Sequence, residues 1–177
     1  GTLIPGAVNA TYSPPVFTTP GNYYYYVIIT LNGNGCGSAT STVAEVIIYN
    51  DPILNTQPIV SQTLCQGATP QALEVTASGG NGSYTYQWYS NVNNNTTSGT
   101  LISGATNSTY IPPSSTVGTL YYYCIVSQTT PGCTVTSATS AIIINLSPTI
   151  INQPLSSSVC LGGTPTTLGL TYSNGAG

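Results

Sequence analysis

The sequence predicts an all-β chain built from tandem repeats, and three observations carry that prediction. The first is self-similarity. "GNYYYYVII" at 21–29 returns as "GTLYYYCIV" at 118–126, 97 residues later. The second is composition: Thr, Ser, Asn, Gly, Val, Ile and Tyr dominate, with 14 Tyr against 1 Trp and 1 Phe, and these are strand and turn residues. The third is alternation of apolar and polar residues over short runs bounded by turn signals.

The repeat extends well beyond the tyrosine runs. "TYSPP" (11–15) matches "TYIPP" (109–113), "GC" (35–36) matches "GC" (132–133), and "SATS" (38–41) matches "SATS" (137–140). "DPILNTQPIVSQTLCQGATP" (51–70) matches "SPTIINQPLSSSVCLGGTP" (147–165). The offsets are 98, 97, 99 and about 96, which sets a unit of about 96 residues with small loop insertions. Pro-marked linkers before Pro52 and Pro148 divide the chain into the C-terminal half of one repeat (1–51), a complete repeat (52–147) and the N-terminal part of a third (148–177). A domain lacking half its strands exposes sheet edges and core, so a segment of a longer array is expected.

Within 52–147, alternation assigns faces. Leu73, Val75 and Ala77 share one face of "ALEVTAS". Tyr84, Tyr86 and Trp88 share one face of "SYTYQWYS", and Tyr122, Cys124 and Val126 one face of "YYYCIV". "GATP", "SGGNG", "NVNNNTTSG", "PPSSTVG" and "TTPG" are the turns that separate about seven strands. A Trp on the third strand and Tyr-x-Cys on the sixth predict an immunoglobulin-like β-sandwich. Trp88, Tyr122 and Cys124 are then core residues, and Tyr122 is expected to tie its hydroxyl back to the upstream loop.

Charge excludes several functions. The chain has no Lys, Arg or His, and Glu45, Asp51 and Glu74 are its only acids. Without cations it cannot neutralise phosphates, so nucleic acid is not an expected partner. The usual general bases and amine nucleophiles are missing, so no catalytic residue, cofactor or metal is expected. No apolar run approaches the ~18 residues of a membrane helix, so no membrane insertion is expected. No signal peptide is recognisable, which reads as a mature piece or fragment.

"QPxxxxxCxGxxxxALxVTA", "YQWY", "LISGATNSTYIPP", "GTLYYYC" and "GCTVTSATS" together resemble the immunoglobulin-like repeats of very large Bacteroidota surface adhesins. Those proteins are exported by type IX secretion and include gliding-motility adhesins of the SprB type. The resemblance spans essentially the whole chain. It implies an extracellular, cell-surface location and an elongated stalk or filament. Its partners would be neighbouring repeats of the same chain, with identical chains in a fibre and surface glycans as further candidates. It brings no catalytic residues.

The 5 cysteines follow the repeat. Each unit has one Cys before a Gly early on (Cys65, Cys160) and one after a Gly late on (Cys36, Cys133). A Cys65–Cys133 disulfide is expected, with reduced thiols and a 65–124 pair as alternatives. Partners of Cys36 and Cys160 would lie in other halves. Cys124, replaced by Val27 in the other copy, reads as a small buried hydrophobe. On the outer face, Gln87 and Tyr89 with Tyr121 and Tyr123 should form a tyrosine-and-amide patch, repeated in part by Tyr24 and Tyr26. Such a patch can stiffen a sheet, contact a neighbouring chain, or stack on sugars. The last use underlies a second reading, a carbohydrate-binding module array attached to a secreted enzyme.

Overall fold

The computed structural model describes residues 1–30 and 37–174, and the chain is all β: sixteen strands and no helix among the described residues. Cys36 lies outside them. The chain divides into two compact units, Gly1–Asn50 and Asp51–Gly177.

The first unit contains β1 (Gly21–Tyr25), β2 (Ile28–Ile29), β3 (Ala39–Thr40) and β4 (Ala44–Ile48). β1 pairs antiparallel with β4, and β2 with β3.

The second unit holds β5 (Pro52–Thr56), β6 (Ser61–Cys65), β7 (Leu73–Glu74), β8 (Thr76–Gly79), β9 (Tyr84–Asn91) and β10 (Thr100–Leu101). It continues with β11 (Thr109–Tyr110), β12 (Gly118–Gln128), β13 (Thr134–Thr136), β14 (Ser140–Asn145), β15 (Thr149–Asn152) and β16 (Thr171–Ser173). Its main sheet runs β10-β9-β12-β14-β6, with β13 also on β12. All pairs in it are antiparallel except β14–β6. Two small antiparallel sheets, β5–β8 and β7–β11, supply the facing layer.

The core lies where these layers meet. β7 and the residue after it contribute Leu73 and Val75; β9 contributes Trp88; β12 contributes Tyr122, Cys124 and Val126; and β14 contributes Ile142 and Ile144. Leu54, Ala77, Tyr84, Tyr86 and Tyr110 pack around them. Each large apolar side chain removed from water contributes about 1.5–3 kcal/mol. Trp88 is fully buried, donates from Nε1 to the Asn107 carbonyl at 2.9 Å, and stacks on Tyr110 with ring centroids 5.9 Å apart. Tyr122 tilts against the other side of Tyr110 at 5.7 Å. The expected tie of its hydroxyl to the upstream loop is not found among the described residues; ring packing against Tyr110 holds it instead.

β12 is the spine of the main sheet, because eight of its residues pair with β9 on one side. On the other side it changes partner. Gly118–Tyr122 pair with β14, and Ile125–Ser127 pair with β13. Ser137 closes the gap between them. Its Oγ accepts from the Cys124 N–H at 2.9 Å and donates to the Ala138 carbonyl at 2.9 Å, while its own N–H donates to the Cys124 carbonyl at 2.9 Å. A buried N–H is thereby satisfied where the ladder would leave it orphaned.

The first unit contains the same device. Ser41 Oγ accepts from the Val27 N–H at 3.0 Å and donates to the Thr42 carbonyl at 2.8 Å, and the Ser41 N–H donates to the Val27 carbonyl at 2.9 Å. The flanking registers agree: Tyr25 faces Ala44 as Tyr122 faces Ser140, and Gly21 faces Ile48 as Gly118 faces Ile144. This corrects the sequence match of the two "SATS" strings. Ser41 corresponds to Ser137 in the ladders, so the two strings are out of register by three residues. At the other end of the chain, β15–β16 and β5–β8 both carry a register shift, between Ile150 and Asn152 and between Leu54 and Thr56. Side chains bridge beside each shift, Asn152 to Thr171 at 2.8 Å and Thr76 to Thr56 at 2.7 Å.

Two serines three residues apart should therefore respond oppositely to substitution. Ser137→Ala strands the buried Cys124 N–H and is expected to destabilise by about 1–3 kcal/mol. Ser140 is fully buried and its Oγ has no partner; Ser140→Ala is expected to be neutral or stabilising, as Ala44 at the matching position of the first unit suggests. Urea unfolding followed by Trp88 fluorescence measures both, and the reverse order contradicts the assignment.

Candidate functional site

The outer face of β9 and β12 carries the predicted tyrosine-and-amide patch. Tyr89 and Tyr123 face each other across the two strands, and their rings stack at 5.2 Å with an interplanar angle of 7°. Tyr123 is nonetheless only 2% exposed, which corrects its assignment to an open surface. Gly99, at the end of the loop after β9, approaches so closely that a Cβ there would overlap the Tyr123 ring and hydroxyl.

Asparagines hold that loop together. Asn91 is buried, and its Nδ2 donates to the Asn95 carbonyl at 3.2 Å, to Asn95 Oδ1 at 2.9 Å and to the Thr97 carbonyl at 2.9 Å. Asn91 Oδ1 accepts from the Asn93 N–H at 3.0 Å, and Asn95 Oδ1 accepts from the N–H and hydroxyl of Thr97, both at 3.1 Å. Asn94 Oδ1 accepts from the Thr139 hydroxyl, anchoring the loop beside the start of β14. Asn side chains that fold back on nearby backbone make such self-supporting loops. "NVNNNTTSG" reads in the sequence only as a turn, although its Asn run was the available signal.

The remaining patch residues are also committed. Gln87 is half-buried and donates from Nε2 to the carbonyls of Trp88 (2.9 Å) and Ile102 (2.8 Å), knitting β9 to the chain beyond β10. Tyr121 is half-buried between Asn91 and Ala141. In the first unit Tyr24 and Tyr26 are exposed. The structure thus brings Gln87, Tyr89, Tyr121 and Tyr123 together, with Tyr123 buried and the other three half-buried.

Among the described residues, no cysteine is paired. Cys65, Cys124, Cys133 and Cys160 are all free, which overturns the Cys65–Cys133 expectation and the 65–124 alternative. Geometry supplies the reason. Cys65 aligns with Asn145 at the end of β14, beside the Gly118 end of β12, whereas Cys133 accepts from Gln128 at the other end. An eleven-residue strand separates the two by about 35 Å, against a Cα limit of about 7 Å for a disulfide. Burial and the adjacent Asp51 carboxylate, to which it is hydrogen-bonded, hold the Cys133 thiol above its ordinary pKa. Burial pushes the Cys124 thiol from 9.0 up to about 11. Burial, reinforced by Tyr110, pushes the Tyr122 hydroxyl from 10.0 up to about 12.

A shallow groove of about 400 Å³ lies between Ala72, Ile102, Asn107 and Tyr110. Its polar lining is supplied by Ser103, Asn107, Thr109 and Tyr110. No group of three or more His, Cys, Asp or Glu side chains that could hold a metal ion occurs among the described residues.

Two measurements follow. Gly99→Ala should destabilise the second unit by about 1–3 kcal/mol through overpacking and alter the near-ultraviolet signal of the Tyr89–Tyr123 stack, while Thr100→Ala should leave that signal unchanged. The second concerns pH. The folded state favours the neutral forms of Cys124 and Tyr122, so their contribution is complete below pH 9 and is lost as pH rises through about 11 to 12. Cys124→Val should remove the thiol's share, flattening the stability profile between pH 9 and 11 in urea titrations. An unchanged slope contradicts it.

None of the curated proteins matches the chain. One family pattern does, over residues 57–147, which is more than half of the chain and falls within the second unit. The chain therefore belongs to the family described as Domain of unknown function (DUF8696).

Proposed function

We propose that the chain is a stretch of tandem immunoglobulin-like sandwich repeats that serves as an extracellular stalk or filament segment of a large bacterial surface adhesin. The observation that carries this reading is the recurrence of one hydrogen-bonded device, Val27 with Ser41 and Cys124 with Ser137, on ladders of identical register. The sequence at 148–174 adds the β15–β16 match to β5–β8 at the front of the unit.

Exposure at matching positions supports the same reading. Cys124 and Val126 are fully buried, whereas Val27 and Ile29 are 49% and 60% exposed; Leu73 and Val75 are fully buried, whereas Leu168 and Leu170 are 66% and 49% exposed. Residues patterned for a core but left outside one belong with further strands. A repeat whose spine is about 37 Å long, joined to the next by a short Pro-containing link, projects whatever lies at the tip. With 3 acids and no Lys or Arg, such repeats have little self-repulsion along or between chains. The glycan-binding reading has less to rest on, because Tyr123 is buried and the Gln87 amide is hydrogen-bonded to two backbone carbonyls.

Electron microscopy of the native surface material tests the proposal. Beaded fibres with a repeat of roughly 40 Å, one sandwich length, are expected; isolated globules contradict it.

A further inference from the structure

We propose that, in such an array, Cys65 of one repeat is joined by a disulfide to the residue equivalent to Cys133 in the following repeat, so that every junction carries a covalent staple. The inference rests on the tandem-repeat reading above and adds the pairing that the fold denies within a single repeat.

Each cysteine marks one pole. Cys65 aligns with Asn145, the last residue of β14, and the neighbouring Gln66 N–H donates to the Asn145 carbonyl at 2.8 Å. That is where the chain leaves the repeat. Cys133 lies at the opposite end: its carbonyl accepts from the Gln128 N–H at 2.9 Å, the Gln128 side chain lies against Gly80, and a Cβ on neighbouring Gly79 would sit 3.3 Å from the carbonyl oxygen of Asp51, the residue before β5. That is where the chain enters. Only Leu146, Ser147 and Pro148 separate β14 from β15, so the end of one strand and the start of the next lie at most about 14 Å apart. An exit pole and the next entry pole are therefore held close, while the two poles of one repeat lie about 35 Å apart.

The exit cysteine is also presented the same way twice. The Cys65 carbonyl accepts from the Ala68 N–H at 3.0 Å around Gly67 (φ 83°), and the Cys160 carbonyl accepts from the Gly163 N–H at 2.9 Å around Gly162 (φ 85°). Glycine is required at both corners because the φ is positive. Both thiols are exposed. In sequence, the strings that hold Cys133 and Cys65 keep their cysteine in the second copy (residues 36 and 160), whereas the core Cys124 is matched by Val27. Two thiols at a junction suit a bond; a thiol in the core is exchangeable packing.

The bond forms by exchange with a dithiol–disulfide oxidoreductase. One cysteine thiolate attacks the oxidant's disulfide, giving a mixed disulfide and releasing one oxidant thiol. The second cysteine thiolate then attacks the mixed disulfide and releases the other. Two cysteines are oxidised to one disulfide, and the oxidant's disulfide is reduced to a dithiol.

The test lengthens the chain by inserting a second copy of residues 52–147 after Ser147, with glutathione disulfide as oxidant. Non-reducing peptide mapping should find a cross-link between Cys65 of the first copy and Cys133 of the second. Cys65→Ser in the first copy should abolish it, and Cys65→Ser in the second should leave it intact. A link inside one copy, or thiols that all stay titratable while Trp88 fluorescence reports folded repeats, overturns the staple. Particle length separates the two ideas: extended particles with free thiols retire the staple alone, whereas compact particles retire the repeat array beneath it.

Discussion

One interrupted ladder governs the second unit. β12 pairs with β9 over Tyr121–Gln128, yet on its other side it passes from β14 to β13. The break falls at the most buried stretch of the strand, where a free N–H is costly. Ser137 resolves this by lending a hydroxyl as acceptor and passing its own proton to the Ala138 carbonyl. With the backbone satisfied there, Tyr122, Cys124 and Val126 can stay turned inward against Trp88, Leu73 and Val75. Both small sheets find their place on that surface. The recurrence of this arrangement around Val27 and Ser41 makes it the most informative part of the chain.

Much of the fold was legible because its signals are local. Period-two alternation identified the inward set Leu73, Val75, Trp88, Tyr122, Cys124 and Val126, all of which lie in the core. The tyrosine repeat located the matching strands, and the turn strings fell between strands. Register was not legible. The "SATS" match suggested an offset that the ladders do not follow, because string identity does not report which serine reaches which N–H. A single bulge or loop residue changes register without changing the words.

The candidate site was legible only in part, and for a physical reason. Alternation states which face a residue occupies and says nothing of what covers that face. Tyr123 was read correctly as sharing a face with Tyr89, but Gly99, at the end of the loop that Asn91 and Asn95 hold, comes against its ring and hydroxyl. The cysteines failed differently. Cys65 and Cys133 are a sensible pair by sequence, and only the length of β12 puts them at opposite poles. What survives is a second unit whose Asn, Gln and Ser side chains serve its own packing and whose Cys65 and Cys133 lie towards opposite ends of β12. Both features suit a repeated structural element better than a binding platform.

The central claim is that the Ser137 hydroxyl completes the β12 ladder at Cys124. Residue-resolved amide hydrogen exchange tests it most directly. The Cys124 amide should exchange as slowly as those of its ladder neighbours Tyr122 and Val126, and Ser137→Ala should release it selectively. A Cys124 amide that exchanges as fast as the 92–99 segment in the unsubstituted chain would contradict the account.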